Sequence, residues 1–373
     1  MTPSSTLRIA TFNASMEAGN YAVDGGPLDP SALARNLASG AHPQIRNIAE
    51  IIQRVRPDIL LLNEFDYIDD PGAGAEAFIH HYLKVGQKGQ PGIDYPYYYC
   101  APVNAGEPSP LDIDGDGVAS GTLGDAYGFG AYPGQYGMLV LSRYPIDHPR
   151  VRTFRQFLWH RMPGALPVTH PDGRPFYDEA TRLGMRLSSK SHWDVPIVVG
   201  EQTLHLLAAH PTPPVFHGPE KRNAARNHDE IRLWADYIDP QKSAYLEDDK
   251  GQKGGLAAAS RFVIVGDYNA SAVEGDSYPG AIEQLLHHPG IQVDPVPGSD
   301  GGRDHSPDNP YGAQHTAAWR ARVDYVLPSS CGWRVIQSGV FWPTRRSRLQ
   351  RLVANRQASS DHRLVWLDAV LTP

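Results

Sequence analysis

The pattern of apolar and polar residues predicts that strands and helices alternate along the chain. Residues 7–13 (LRIATFN) alternate in polarity, which predicts a strand that ends at Asn13. Apolar residues recur every three or four positions over residues 43–55, behind a proline, and predict an amphipathic helix. Residues 58–62 (DILLL) are typical of a strand covered on both faces. These segments predict a βαβ unit with Asn13 and Glu64 at the carboxyl ends of its strands, where α/β sheets bind ligands.

The second half of the chain continues this alternation without repeating the sequence. Apolar runs predict strands over residues 137–143, 203–209, 261–266, 323–327 and 363–370, and helical periodicity predicts helices over residues 220–238 and 281–288. Side chains that can bind a metal or move a proton lie at the ends of several strands, namely His210, Asp267, Asn269, Asp324, Asp361 and His362. We expect both halves to contribute to one site.

Long segments without periodicity interrupt this pattern. Residues 66–135 and residues 147–193 are rich in turn-forming residues and are interpreted as insertions. Residues 241–255 are interpreted as a flexible charged linker. A length of 373 residues allows two domains or one large domain. The single expected site favours one domain over residues 1–373.

Composition narrows the classes of protein. The 41 acidic and 34 basic residues give a net charge of −7, which argues against tight non-specific binding to long nucleic acids. No apolar run approaches the roughly 18 residues of a membrane helix, and residues 1–5 lack the pattern of an export signal. Cys100 and Cys331 match neither a metal site nor a disulfide framework, which favours two buried thiols.

The residues at the strand ends suit phosphoester chemistry. A hard cation such as Mg²⁺ prefers oxygen ligands, which Glu64 can supply. Asp267 can activate or orient a water molecule, and the Asn269 amide can fix that water or a phosphoryl oxygen. His362 and His210 are candidate imidazoles for stabilising negative charge on phosphorus. Asp324 is suited to hold His362 in one tautomer.

The motifs together resemble the endonuclease/exonuclease/phosphatase superfamily, whose fold is deoxyribonuclease I-like. They are Asn13 in TFN, Glu64 in LLNEF, GMLVLSR ending at Arg143, His210 in AAHPTP, Asp267 and Asn269 in GDYN, Asp324 in RVDYVL, and Asp361 and His362 in SSDH. The resemblance implies an α/β four-layer sandwich of two mixed β-sheets flanked by helices. It also implies hydrolysis of a phosphodiester or phosphomonoester by in-line water attack, with Mg²⁺ or Mn²⁺ as cofactor.

The same resemblance assigns roles to individual residues. Glu64 would ligate the principal metal, with Asn13 and Asp361 near it. His362, paired with Asp324, would donate to the scissile phosphate. Asp267 would activate or orient the water, Asn269 would hold the phosphate, and His210 would be the second catalytic histidine found in some nucleases of the family.

Residues 112–117 (DIDGDG) resemble the opening of a calcium-binding loop. Asp112, Asp114 and Asp116 alternate before a glycine, but the twelfth position, where an EF-hand has Glu, is Leu123. Either Asp125 and other ligands complete a Ca²⁺ site, or the segment is an ordinary turn. The segment from this loop to residue 143 is similar to one in the secreted bacterial branch of the family, which favours export.

Arginine is the dominant basic residue, with 27 Arg against 7 Lys, and several arginines are candidates for substrate binding. Residues 344–356 carry five arginines and no acidic residue. Such a run forms either a solvated surface or a contact for an anionic substrate. The candidate substrate-binding arginines are Arg143, Arg226, Arg345 and Arg346, with Arg222 as a further candidate.

Three functions remain open from the sequence. The favoured one is a metal-dependent phosphoesterase acting on small or headgroup-sized phosphoesters and phosphodiesters, and the alternative is a DNA or RNA endonuclease. A catalytically inactive binding module is disfavoured, because the GDYN and SSDH motifs are intact. No membrane span and no obligate protein partner are expected.

If residues 112–117 bind calcium, millimolar Ca²⁺ will raise the melting temperature, because a ligand that binds only the folded state stabilises it. The measurement is thermal unfolding with and without Ca²⁺, with Asp114→Ala as the control variant. If Ca²⁺ does not change the melting temperature of the wild type, residues 112–117 form an ordinary turn and not a calcium site.

Overall fold

The computed structural model describes residues 6–22 and 26–372, and two mixed β-sheets form its centre. The strands are β1 (Thr6–Met16), β2 (Ile59–Phe65), β3 (Tyr97–Tyr99), β4 (Met138–Ser142), β5 (Arg152–Thr153), β6 (His192–Val199), β7 (Gln202–Ala209), β8 (Phe262–Asp267), β9 (Asp324–Pro328), β10 (Trp333–Val340) and β11 (Val365–Leu371). The first sheet has the order β10-β11-β1-β2-β4-β3, and the second has the order β5-β6-β7-β8-β9. The predicted pair of mixed sheets is therefore confirmed.

The helices lie between the strands and cover the outer faces of the sheets. The α-helices are α1 (Ala18–Tyr21), α2 (Ala32–Ser39), α3 (Pro43–Val55), α4 (Ala75–Phe78), α5 (Glu179–Gly184), α6 (Arg222–Tyr237), α7 (Glu283–Leu286) and α8 (Asp300–His305). A π-helical turn, Ile79–Leu83, continues α4. No helix in the described part of the chain combines the length and apolarity needed to cross a bilayer.

The βαβ unit predicted at the start of the chain is present. Strands β1 and β2 are parallel neighbours, and α3 connects them with the bounds expected from its periodicity. Pro43 lies in the first turn of α3, where its missing N–H costs nothing, and Arg56 ends the helix in a left-handed conformation. The carboxyl ends of β1 and β2 therefore lie side by side.

The second sheet contains a matching unit, in which α6 connects the parallel strands β7 and β8. Successive side chains of a strand point to opposite faces, so β7 contributes to two cores. Leu204 and Leu206 pack between the two sheets, whereas Leu207 packs on the outer face together with Trp234 of α6. Burial of each such side chain contributes roughly 1.5–3 kcal/mol. Both faces of the strand are therefore apolar, as its sequence indicates.

Several expectations from the sequence are wrong. Residues 241–255 are not a free linker, because buried Asp248 pairs with Arg152 of β5 at 2.7 Å and Asp249 accepts N–H bonds from residues 155 and 156. Cys331 is exposed and Cys100 is partly buried, and both are free thiols. Strands β6 and β10 lie in segments where the sequence pattern did not predict long strands.

The inter-sheet core predicts the effect of a truncation in β7. Leu206→Ala should lower the free energy of unfolding by about 2–5 kcal/mol, because it leaves a cavity in a fully buried position. The measurement is urea denaturation, and the control is Val118→Ala at a position 62% exposed, where a change of about 0.5 kcal/mol or less is expected. Equal losses in both variants would contradict this account of the core.

Candidate active site

Strand register brings the predicted residues to one edge of the two sheets. Asn13 of β1 is paired with Asn63 of β2. In the second sheet, Ala209 at the end of β7 is paired with Gly266, and Asp267 at the end of β8 is paired with Asp324 at the start of the antiparallel strand β9. His210 follows β7 directly and therefore lies beside Asp267.

Two buried asparagines connect the sheets beneath this edge. The Asn63 amide donates to the carbonyl of Ala209 at 3.3 Å, and its oxygen accepts the N–H of Asp267 at 3.1 Å. The Asn13 amide donates to Glu64 Oε1 and to Asp267 Oδ2, both at 3.0 Å. These bonds fix the distance between the carboxylates of Glu64 and Asp267, which lie in different sheets.

His362 and Asp324 form a buried pair next to Asp267. His362 Nδ1 lies 2.9 Å from Asp324 Oδ2, and its Nε2 lies 3.5 Å from Asp267 Oδ2. Burial lowers the pKa of His362, but the two carboxylates outweigh burial and raise the pKa well above the ordinary value. His362 is therefore held as a charged imidazolium whose Nε2–H points toward Asp267.

His210 lies on the other side of Asp267 and differs from His362 in charge. Its Nε2 lies 3.3 Å from Asp267 Oδ2, whereas its buried Nδ1 has no hydrogen-bond partner within the described residues. Burial and the nearby Lys190 ammonium lower the pKa of His210, so the ring is neutral and donates through Nε2. Burial raises the pKa of Asp267, but His362 together with hydrogen bonds from His210 and Asn13 holds that pKa below its ordinary range.

Helix α6 positions the loops that carry these residues. Buried Glu230 accepts the N–H of Ser189 at 2.7 Å and the N–H of Thr212 at 2.6 Å. Buried Asn227 donates to the carbonyls of Thr212 and Tyr268, both at 2.8 Å. The helix therefore holds three loop segments, at residues 188–191, 210–212 and 268–269, by direct hydrogen bonds.

Backbone conformation at this edge is unusual for non-glycine residues. Ser15, Glu64 and Asn269 have φ values of 47°, 54° and 52°, in the left-handed region. Such conformations cost energy and concentrate at functional sites. Asn269 donates its backbone N–H to Asp267 Oδ1 at 2.9 Å and its side-chain amide to the carbonyl of Pro211 at 3.1 Å.

The residues that suit a divalent cation form the open side of the site. Glu64 and Asp361 have side-chain exposures of 16% and 34%, and Arg356 contacts both carboxylates. The oxygen-only donors fit a hard cation. Asn13 turns its NH₂ toward the carboxylates while its oxygen accepts the N–H of Ser15, so it orients Glu64 through a hydrogen bond.

A second group of potential ligands lies deeper, formed by Asp267, Asp324 and His362 within 4.8 Å of one another. All three side chains are buried, and His362 Nδ1 is already bonded to Asp324. Binding a cation there would displace the proton that holds this pair together. The partly exposed carboxylates of Glu64 and Asp361 therefore fit a metal better.

Two predicted substrate-binding arginines do not reach the site. Arg143 pairs with Asp58 at 2.9 Å, because β4 is antiparallel to β2 and ends at the opposite edge of the sheet. Arg226 is buried, and its guanidinium donates to the carbonyls of residues 127, 186 and 187, so it supports loops. Arg222 pairs with Glu220.

Arg345 and Arg346 are exposed, and Arg345 contacts Asp304 and His305. A contribution of this pair to substrate binding stays a prediction. Arg351 in the same run pairs with Glu50 of α3 at 2.6 Å. Arg356, the last arginine of this run, contacts Glu64 and Asp361 of the site.

The candidate calcium loop has a compact geometry. Potential ligand oxygens of Asp112, Asp114 and Asp116 lie within 4.8 Å of one another. The Asp125 carboxylate accepts hydrogen bonds from the backbone of Ile113, Asp114 and Ser120 and from the Ser120 hydroxyl, so its oxygens are engaged in holding the loop. Calcium binding by this loop stays a prediction.

Sequence reasoning missed three residues at this edge. Lys190 is buried, and its ammonium interacts with the charges of Glu64, Asp267 and Glu230. Trp319 is 50% exposed and stacks edge to face against His362, with ring centroids 4.8 Å apart. Glu17 is buried and contacts Arg356. None of these residues lies at the end of a strand that the apolar pattern predicts.

The chain combines a two-sheet sandwich with a buried His–Asp pair and partly exposed carboxylates at one edge. A model of the endonuclease/exonuclease/phosphatase family matches residues 10–362, and the chain therefore belongs to this family. Members of the family hydrolyse phosphoester bonds and generally use divalent metals. No curated protein matches the chain.

Solved structures resemble this fold at low sequence identity. A family member from Beutenbergia cavernae DSM 12333 is 17% identical with a TM-score of 0.51, covering 98% of this chain and 72% of that chain. Sphingomyelinase C from Streptomyces griseocarneus is 15% identical, with a TM-score of 0.45 and coverages of 98% and 99%. The beta toxin of Staphylococcus aureus is 12% identical, with a TM-score of 0.48 and coverages of 98% and 100%. At these identities the likeness concerns the fold.

Gly266 provides a test of the strand contacts that position Asp267 and His210. A Cβ at Gly266 would lie 2.1 Å from the carbonyl oxygen of Ala209, and φ is +147°. Gly266→Ala should therefore cost about 3 kcal/mol or more in urea denaturation. The control is Gly280→Ala, where φ is +78° but no atom lies within 4 Å, with an expected cost of about 1–2 kcal/mol. Similar losses of unfolding free energy in the two variants would contradict the close approach of position 266 to the Ala209 carbonyl.

Proposed function

We propose that the protein is a Mg²⁺- or Mn²⁺-dependent phosphoesterase that hydrolyses a phosphodiester or phosphomonoester by in-line attack of water. The observation that carries the proposal is the arrangement around Asp267. Its ionised carboxylate lies between a charged imidazole, His362, and a neutral imidazole, His210. The Asn13 amide connects this carboxylate to Glu64. Groups that can act as an acid, as a base and as cation ligands therefore lie together at one edge of the two sheets.

Each residue has a role that follows from its contacts. Asp267, held as an ionised carboxylate, accepts a hydrogen bond from the attacking water and activates or orients it. His362, kept charged by Asp324, donates from Nε2 to a phosphoryl oxygen as negative charge develops. Asn269 and His210 orient the phosphoryl group and the water. A divalent cation held by Glu64 and Asp361, with Asn13 orienting Glu64, would polarise the phosphoryl oxygen and neutralise its charge.

Charge favours small substrates over long polymers. The net charge of −7 opposes non-specific binding to DNA or RNA, which depends on neutralising many phosphates. We therefore favour small phosphoesters or headgroup-sized phosphodiesters, and nuclease action is the alternative that the substrate panel below separates. An inactive binding module is disfavoured, since the whole His–Asp network is intact.

His362→Ala and Asp267→Ala should each lower kcat about 10²- to 10⁴-fold, because each removes a group that acts on the reacting atoms. The assay measures hydrolysis of bis-p-nitrophenyl phosphate, p-nitrophenyl phosphate and supercoiled plasmid with Mg²⁺ or Mn²⁺. Asp324→Asn should also lower kcat, because an amide cannot stabilise the charged form of His362.

The matched control for these variants is His205→Ala. His205 also pairs with an aspartate, Asp194, at 2.7 Å. It lies in the middle of β7, away from the carboxyl end that leads to His210. The activity of the His205→Ala variant should stay near that of the wild type. Plasmid nicking that is lost in both active-site variants would assign the nuclease alternative. Hydrolysis that persists in both variants would contradict the mechanism.

A further inference from the structure

Arg356 occupies a position that the proposed mechanism does not use. Its Nη2 atom lies 3.1 Å from Glu17 Oε1 and 3.2 Å from Glu64 Oε2, and its Nε lies 3.8 Å from Asp361 Oδ1. The other oxygen of Glu64 is bonded to Asn13, which in turn bonds Asp267. The guanidinium therefore lies directly beside the carboxylates that fit a cation, at the entrance to the acid–base residues.

Glu17 anchors this guanidinium independently of the open carboxylates. Glu17 is 1% exposed, and its Oε2 accepts the N–H of Gly19 at 2.7 Å and the amide of Gln135 at 3.1 Å. Its Oε1 has Arg356 as a partner. A buried carboxylate is costly without a counter-charge. Arg356 can therefore keep its bond to Glu17 when a cation takes Glu64.

The guanidinium has more donors than its carboxylate partners use. Arginine carries five N–H donors, but both short contacts of Arg356 involve Nη2 alone. Its Nε is buried without a hydrogen-bond acceptor, and no bond from Nη1 occurs within residues 6–22 and 26–372. The side chain is 37% exposed, so the Nη1 donors are accessible from the site, whereas the buried Nε is not. A planar group with free N–H donors suits the oxygens of a phosphate.

We propose that Arg356, held by Glu17, is a further catalytic residue that binds the phosphoryl group of the substrate between the Glu64 carboxylate and His362. Arg356 and His362 then donate to the phosphate from two sides. A cation held by Glu64 would replace Arg356 at that carboxylate, and an Nη2 donor of Arg356 would then be free for the phosphate. This inference rests on the proposed function, but it concerns binding of phosphate and does not need turnover to be tested.

The competing explanation is that Arg356 only neutralises buried Glu17. The same segment provides a control arginine, because Arg351 pairs with buried Glu50 at 2.6 Å with a similar side-chain exposure of 42%, although Arg54 also pairs with Glu50 at 2.8 Å. Within the described residues, Arg351 contacts α3 and no residue of the site. A purely structural role of Arg356 would lower the melting temperature without selectively weakening phosphate binding.

The test measures affinity for inorganic phosphate by calorimetry with saturating Mn²⁺, and affinity for Mn²⁺ alone. Arg356→Gln should weaken phosphate binding about 10- to 100-fold, because charge-assisted hydrogen bonds are lost. It should not weaken binding of Mn²⁺, because a neighbouring positive charge is removed. Arg356→Lys should be intermediate, and Arg351→Gln should bind phosphate as the wild type does.

The double variant Glu17→Gln/Arg356→Gln separates binding from folding, because it removes the buried charge together with its partner. Weak phosphate binding in a double variant that regains the wild-type melting temperature supports the inference. Phosphate binding within about twofold of the wild type in Arg356→Gln, equal loss in Arg351→Gln, or recovery of affinity in the double variant would overturn it. A wild type that binds phosphate through Arg356 but hydrolyses none of the substrates above would refute the proposed function alone.

Discussion

The site depends on hydrogen bonds that cross from one sheet to the other. Asn63 of β2 bonds both β7 and β8 through a single amide, at Ala209 and at Asp267. Apolar packing between the sheets sets their separation but is not directional. A buried amide with fixed partners is directional, and an unpaired one costs about 1–3 kcal/mol. Asn63 therefore fixes the alignment of the two sheets. The hydrogen bonds of Asn13 then place the carboxylates of Glu64 and Asp267 according to that alignment.

The carboxylates buried in the site have positively charged or hydrogen-bonding partners. Asp267 faces one charged and one neutral imidazole, and Glu17 faces the Arg356 guanidinium. The difference between the two histidines follows from their second nitrogen atoms. His362 has Asp324 at Nδ1, whereas His210 has no partner there and lies near Lys190. One residue type therefore supplies two chemical functions from two environments.

The sequence predicted the parts of the site that follow strands. Periodicity predicted the βαβ unit and its bounds, and the polar residues at the carboxyl ends of β1, β2, β7 and β8 do meet. The prediction that Arg143 lies at the site is wrong, because an apolar run shows where a strand ends but not whether the strand is parallel or antiparallel to its neighbour. Strand β4 is antiparallel to β2, so its carboxyl end lies at the wrong edge. Lys190, Glu17 and Arg356 lie in loops, and only tertiary contacts bring loops to a site.

The pairing of β1 has a consequence for how the chain folds. Strand β1 lies between β2 and β11, and its residues 6–11 pair with residues 365–370. Strand β1 therefore has one exposed edge until residues 365–370 have been synthesised and have paired with it. Contacts between such distant segments slow folding, and exposed strand edges promote aggregation. Asp361 and His362 shortly precede β11, so the pairing of β11 with β1 also brings these two side chains to the site.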